Sequence, residues 1–314
     1  MIDGIVVIDK PAGMTSHDVV NRARRLFKTK RVGHTGTLDP DATGVLVLCL
    51  GQATRLAEYL SASRKHYVAE VLFGVETDTQ DASGQVTAER DASHLTEANL
   101  RALLPRFQGT IEQIPPMVSA LHHQGKRLYE LAREGITVER APRQIQIDAL
   151  VMTAFVPGEH PLATLEITCS TGTYIRTLSA DLGEAAGVGG MMQSLRRTWV
   201  GEAENAFTLE VAQTLEGLQE HADKGTLAEV VLPLAIAVRA WPQAHLTIEQ
   251  VAHIRQGQTV AVSEVAPTER VNWHLACAET PLALFDSTHA VCAIARLVAD
   301  RLQPVKVLAH DETV

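Results

Sequence analysis

Residues 33–44 read Gly-His-Thr-Gly-Thr-Leu-Asp-Pro-Asp-Ala-Thr-Gly and run directly into six apolar residues, 45–50. The first stretch is too rich in Gly, Thr and Pro for the interior of a helix or strand. The second reads as a buried strand. A loop is thereby anchored to a rigid element, the setting in which binding and catalytic groups concentrate. Within it, Pro40 fixes its own φ and biases Asp39 toward an extended backbone, so the Asp39 carboxylate gains a defined direction. For an isolated Asp-Pro, a polar turn capped by Asp is the plain alternative. Twelve consecutive residues of this composition favour a functional loop.

The chain has 314 residues, 46% apolar and 21% charged, which fits a soluble protein of two domains. No apolar run approaches the ~20 residues that span a bilayer, and the N-terminus lacks a signal-peptide pattern, so a cytoplasmic location is expected. The four cysteines, Cys49, Cys169, Cys277 and Cys292, are widely separated and read as buried free thiols. His122 and His123 are adjacent rather than spaced for zinc, and no metal is expected. The net charge of −9 is unevenly spread: residues 1–66 carry a local +4 and residues 201–314 a local −8. Arg22, Arg24, Arg25, Lys28, Lys30 and Arg31 precede the Asp39 loop, and Arg64, Lys65 and His66 follow it. Such a cluster suits phosphate contacts, because charges beyond about 8 Å are screened, but it equally fits a solvated helix face.

The pattern predicts a strand at 5–8 and a helix from Thr15 or Ser16 to about Lys28. It predicts a further strand at 66–74 with imperfect alternation, and a helix capped at Thr96 through about Phe107. Residues 110–143 differ in texture, beginning with Ile114-Pro115-Pro116-Met117, and read as an insertion with a helix near 128–133. Strands are expected at 144–154, 162–169 and 193–197, with a helix at about 177–186 between the last two. Residues 208–237 look helical and acidic, and shorter segments after Trp241 suggest a small β-rich domain.

Asp39 is the acid best suited to act as a nucleophile, provided that it is ionised and aimed. Arg176 is the candidate cation beside it; in an extended segment it would project to the same side as Tyr174. A surface salt bridge is the alternative for Arg176. Tyr67, at the start of a strand, can stack on a base or serve as a core aromatic, and Tyr174 carries the same alternatives. His34, between Gly33 and Gly36, is open to a ligand or is a turn histidine. Leu195 by itself reads as core packing.

Six ordered stretches together resemble the TruB family of tRNA pseudouridine synthases: Asp9-Lys10-Pro11-x-Gly13-Met14-Thr15-Ser16, residues 33–44, Lys65-x-Tyr67 with Thr77-Asp78-Thr79 and Asp81-x-x-Gly84, residues 113–129, Cys169 to Arg176 with Asp181-Leu182-Gly183, and Leu195-Arg196-Arg197. The resemblance implies Asp39 as nucleophile, Arg176 and Tyr67 as its catalytic companions, and His34, Tyr67, Tyr174 and Leu195 as substrate contacts. Val118 and His122-His123 depart from the family's usual residues, which bears on RNA contact rather than on chemistry.

The fold so implied is α+β: a pseudouridine synthase fold with a large curved, mixed, mostly antiparallel sheet over 1–232, a thumb insertion at about 110–143, and a small β-rich PUA-like domain over 233–314. The implied reaction isomerises a T-loop uridine of tRNA to pseudouridine. No cofactor is expected, because nothing is oxidised or lost and the chain has no P-loop or dinucleotide fingerprint. The expected partner is tRNA, with no membrane and no metal, and a monomeric chain. Two other readings fit parts of the sequence. A non-catalytic RNA-binding or assembly module would use the basic cluster without Asp39. An aspartyl-phosphate phosphotransferase would use Asp39-x-Asp41, although there the apolar strand should precede the loop.

Overall fold

The computed structural model describes residues 2–308 except 120, 124, 203 and 204. In chain order its first elements are β1 (Gly4–Lys10), α1 (Ser16–Leu26), β2 (Val32–His34), β3 (Thr43–Leu50), α2 (Ala57–Ser61), β4 (Arg64–Phe73), β5 (Val75–Thr77), β6 (Val86–Glu89) and α3 (Glu97–Leu103). There follow β7 (Gly109–Gln113), β8 (His122–His123), β9 (Lys126–Arg127), α4 (Leu128–Arg133), β10 (Arg143–Val156), β11 (Leu162–Cys169), α5 (Ile175–Ala185), β12 (Gly190–Gly201), β13 (Phe207–Thr208) and α6 (Leu215–Lys224).

The large sheet runs β1-β3-β12-β4-β11-β10-β7, with β2 paired to β3 and β13 to β12. Its pairs are antiparallel except β3 and β12, which meet in parallel where Arg196 and Arg197 face Thr43 and Gly44. The expected mixed, mostly antiparallel α+β architecture is present. Register shifts along β12 and β10 bend the sheet. On β4 the burial alternates strictly, unlike the imperfect pattern in the sequence, because Val68 and Leu72 stand on the less covered face.

The continuous apolar runs of β1 and β3 are explained by burial on both faces. Val6, Ile8, Leu46, Leu48 and Leu50 join Val19, Val20 and Ala23 of α1 in one core. Ile5, Val7, Val45, Val47 and Cys49 face the other way, against Ala283, Phe285, Val291, Ile294 and Leu308. Those partners, Leu308 apart, belong to a second, six-stranded sheet whose strands lie between Gln243 and Val307, alongside an α-helix at Ile248–Arg255. The C-terminal part thus lies against the back of the sheet that carries the Asp39 loop.

Several expectations are corrected. Residues 109–113 are not part of an insertion; they form edge strand β7, paired to β10 from Gly109 to Gln113, and the excursion starts at Ile114. Within it α4 falls where the sequence placed a helix. The His122 and His123 side chains lie outside the described residues. Residues 208–237 are not one helical stretch. Only α6 is long, and extended pieces pair with the outer edge of β1, with Gln213 N donating to Val7 O at 2.8 Å and Ile5 N to Leu232 O at 2.8 Å. This covers an otherwise open strand edge. Cys277 is exposed, whereas Cys49, Cys169 and Cys292 are buried as expected.

Candidate active site

Gly33 and His34 are not in the loop as the sequence suggested. They form β2 and pair with Cys49 and Leu48 of β3. The loop proper is the tip of this hairpin, and it is held from below by the segment following β1. Ser16 Oγ accepts from Leu38 N at 2.8 Å and donates to Leu38 O at 3.1 Å. Gly13 N donates to Pro40 O at 3.0 Å. The fully buried Lys10 directs Nζ at Pro11 O (2.8 Å), Met14 O (2.6 Å) and Pro40 O (2.8 Å). Burial lowers the Lys10 pKa to about 8, with Asp41 and Asp39 opposing the shift. At the far end, Gly44 has φ +102°, and a Cβ there would lie 2.1 Å from Arg197 O, so only glycine lets β3 and β12 meet.

So fixed, Asp39 faces the N-terminus of α5. Arg176 donates Nε to Asp39 Oδ2 at 2.9 Å and Nη2 to Asp39 Oδ1 at 3.1 Å, a two-point grip on the carboxylate. The Arg176 side chain is only 5% exposed, and that of Asp39 is 35% exposed, so the carboxylate stays open to a ligand. The rest of the guanidinium is also engaged, with Nη2 donating to Val118 O at 2.9 Å and Nη1 to Thr79 O at 3.4 Å. Asp81 Oδ2 stands 3.6 Å from Nε. Asp81 is held by Thr79 Oγ1 (2.7 Å) and Ser83 Oγ (2.6 Å). The reason given for Arg176 from the sequence is corrected: it does not share an extended segment with Tyr174. Tyr174 is the N-cap of α5, and Arg176 lies in the first helical turn.

The remaining candidates gather around this pair. Tyr67 pairs with Arg197 across β4 and β12, and Ala69 pairs with Leu195. Tyr67, Leu195 and Leu38 share one apolar cluster under the loop. Burial pushes the Tyr67 phenol up; the Arg197 guanidinium opposes this by charge and hydrogen bond, and Asp39 is near enough to add to it. Arg197, 1% exposed, donates to Val45 O at 2.7 Å and to Gly36 O at 3.0 Å. The Tyr174 phenol is raised by burial and lies within range of the Arg176 and Asp39 charges. His34 Nδ1 accepts from Gly36 N at 3.3 Å, and burial, with the Arg197 and His17 charges, holds the ring below its ordinary pKa. Arg176, Tyr67 and Tyr174 thus lie within range of Asp39, Leu195 shares the apolar cluster of Tyr67, and His34 is linked to them through Gly36 and Arg197.

The basic cluster divides. Lys65 is buried, donating Nζ to Ser61 O and Ser63 O at 2.7 Å each, with its pKa lowered by burial to about 8. Arg64 pairs with Asp148 at 3.0 Å, and His66 stacks on Trp199. All three side chains of that triplet are thus engaged within the protein. Arg25, Lys28, Lys30 and Arg31, in contrast, are exposed around the end of α1. Residue-type reasoning overlooked Lys10, Arg197 and Gln113 as supports for the site. For Lys10 the available signal was a long polar side chain at the end of an apolar strand, which has to find partners if buried.

The arrangement offers an oriented, accessible carboxylate with two aromatic side chains within range of its charge. This suits nucleophilic attack on a flat, stackable ligand. Asp41 is exposed, away from the two-point grip on Asp39.

Comparison with known proteins agrees with the geometry. Residues 24–175 match the model of the TruB family pseudouridylate synthase N-terminal domain, and residues 176–239 match that of the tRNA pseudouridylate synthase B C-terminal domain. The chain is 49% identical to tRNA pseudouridine synthase B of Symbiobacterium thermophilum over 261 residues, covering 83% of this chain and 84% of that protein. It is 47% identical to the protein of the same name from Moorella thermoacetica, again over 83% of this chain and 84% of the relative. Among solved structures, an H/ACA ribonucleoprotein bound to a substrate RNA containing 2′-deoxyuridine gives a TM-score of 0.74 at 22% identity, covering 98% of this chain and 86% of that one. A Cbf5-Nop10-Gar1 complex also gives 0.74, at 24% identity, covering 98% and 85%. These two show a common fold. With two family models spanning the Asp39 loop, the Arg176 helix and β12, the chain belongs to the TruB family of pseudouridylate synthases.

Proposed function

We propose that this protein isomerises a T-loop uridine of tRNA to pseudouridine, with Asp39 as nucleophile. The observation that carries the reading is the half-open Asp39 carboxylate in the two-point grip of the buried Arg176, with Tyr67 beneath it. In this reaction the N1–C1′ bond of the nucleoside breaks, the uracil turns, and a C5–C1′ bond forms. The C5 proton leaves and N1 regains one, so atoms and electrons balance without a redox partner, and the chemistry calls for no cofactor or metal. The target base has to leave its stack, at a cost on the order of a few kcal/mol. Stacking on Tyr67 or Tyr174, at about 1–3 kcal/mol per base, offsets this. His34 and Leu195 shape the rim and floor of the base pocket.

Arg25, Lys28, Lys30 and Arg31 with the excursion after Ile114 form the RNA-gripping face. The catalytic domain is read as 1–232 and the β-rich, PUA-like domain as 233–314, packed together through the shared core. The protein acts as a cytoplasmic monomer. Among the described residues, no helix is long and apolar enough to cross a membrane.

The test is mass-shift mapping of pseudouridine in T-loop RNA incubated with the wild-type protein and with Asp39→Asn. Conversion by the former and none by the latter is expected. Conversion by both would remove Asp39 from the mechanism. A wild-type protein that binds tRNA without converting it would instead favour an RNA-binding module.

A further inference from the structure

Gln113 is the last residue of β7, at the root of the thumb, and is 3% exposed. Its side-chain amide uses both its oxygen and its nitrogen on a single partner residue. Oε1 accepts from Tyr174 N at 2.8 Å, and Nε2 donates to Tyr174 O at 3.0 Å. The two bonds replace a strand pairing where the chain has left β11 and not yet entered α5. Tyr174 is the N-cap of α5 and has no side-chain cap of its own. Arg176, two residues on, is fastened independently by Asp39, Val118 O and Thr79 O. Tyr174 has no comparable set of side-chain anchors. Its hydroxyl lies against that of the buried Ser119 without the geometry of a full hydrogen bond. The position of the ring therefore follows the Tyr174 backbone, which Gln113 holds at both polar groups and which α5 holds at the carbonyl alone, Leu178 N donating to Tyr174 O at 3.1 Å.

We propose that Gln113 is a positioning residue for the isomerisation, holding the Tyr174 ring at the base pocket through both main-chain polar groups of Tyr174. This rests on the reading of Tyr174 as a substrate contact. A glutamine serves because one planar group both donates and accepts at the spacing of a peptide N–H and C=O. A carboxylate there accepts only, and an apolar chain of equal length does neither. Because β7 leads straight into the thumb, the same residue ties the thumb's root to the pocket wall.

The experiment is a double-mutant cycle read by single-turnover pseudouridine formation at saturating protein, with tRNA affinity measured separately. Gln113→Met keeps the length and loses both bonds. It is expected to slow the saturated rate by about tenfold to a hundredfold, the scale of a misplaced contact group, with tRNA affinity within about twofold of wild type. Gln113→Glu keeps the acceptor for Tyr174 N and is expected to lose less; it also carries the test if the Met variant does not fold. Tyr174→Ala alone should be slow, and adding Gln113→Met or Gln113→Glu to it should cost less than about twofold more. Losses that multiply would overturn the proposal, as would weakened tRNA binding with an unchanged saturated rate. A Tyr174→Ala protein with the wild-type rate would instead overturn the reading of Tyr174 itself.

Discussion

Arg176 grips both carboxylate oxygens of Asp39 and, with the same Nη2, donates to the backbone of Val118. The Asp39 loop and the start of the excursion after Ile114 are therefore joined through one buried guanidinium. Only a planar, multi-donor cation does this; an ammonium has neither the fork nor the reach.

Arg176→Lys should accordingly lower the saturated rate of pseudouridine formation by about a hundredfold to a thousandfold, since it loses the two-point geometry and the Val118 contact together. Affinity for tRNA should change little. Rapid-quench assays at saturating protein measure the rate, and filter binding measures the affinity. A fall confined to affinity would place Arg176 in RNA binding.

Lys10 gives a pH dependence with opposite signs for rate and stability. Its folded pKa, about 8, lies below the ordinary 10.5, because burial disfavours the ammonium. Between those values the folded chain binds fewer protons than the unfolded one. The penalty for a buried ammonium is thus fully present below about pH 8 and is lifted as pH rises toward 10.5. The neutral amine, however, has two protons for three carbonyls, so one of Pro11 O, Met14 O and Pro40 O is released. The rate should fall above about pH 8 while the Lys10 contribution to stability rises. A pH–rate profile beside a series of thermal melts checks both signs, with Lys10→Met expected to lack this alkaline limb in each.

Asp181 carries the reverse shift. Burial, aided by the charge of Glu184, raises its pKa to about 6 from 3.8. The folded chain holds the extra proton between these values, so stability is gained as pH falls from about 6 to 3.8, and the cost of the ionised form is complete at pH 7. Asp181→Asn should stabilise the protein by about 1–2 kcal/mol at neutral pH, after allowance for its partial exposure, with the gain vanishing near pH 4. Denaturant titrations at the two pH values decide this.

Two glycines with positive φ should respond differently to alanine. At Gly44 the new Cβ would lie 2.1 Å from Arg197 O, in backbone that cannot yield without breaking the β3–β12 contact; at Gly13, φ +79°, nothing lies within 4 Å. Gly44→Ala should cost more than about 3 kcal/mol or abolish soluble protein, and Gly13→Ala about 1 kcal/mol from conformational strain alone. Urea midpoints of the two variants provide the comparison.

Replacing residues 121–133 by a short Gly-Ser linker leaves Val118 on Arg176 and removes β8, β9 and α4. Affinity for tRNA should weaken by about tenfold or more, with the melting curve of the sheet unchanged. Undiminished affinity would show that the thumb does not hold the RNA.

The strands were legible because burial on one or both faces leaves a pattern in the residues themselves. Residues 45–50, apolar throughout, are a strand covered on both sides, and Thr15 with Asp18 caps α1 through a reciprocal pair of hydrogen bonds. Less visible was the end of the loop: Gly33 and His34 resemble turn residues, yet the free edge of β3 draws them into a strand. The 109–113 segment is similar, polar on one side and paired only along β10.

What the sequence determined was which residues are chemically able to act, and where local strand and helix patterns begin. Asp39, Arg176 and Tyr67 stand out by residue type and by the short-range context of Pro, Gly and apolar neighbours. Tertiary structure alone decided which polar side chains support them. Lys10, Arg197 and Gln113 make their decisive bonds to backbone groups, many of them far along the chain, and a main-chain carbonyl or amide has the same chemistry at every residue, so no local pattern marks it as a partner.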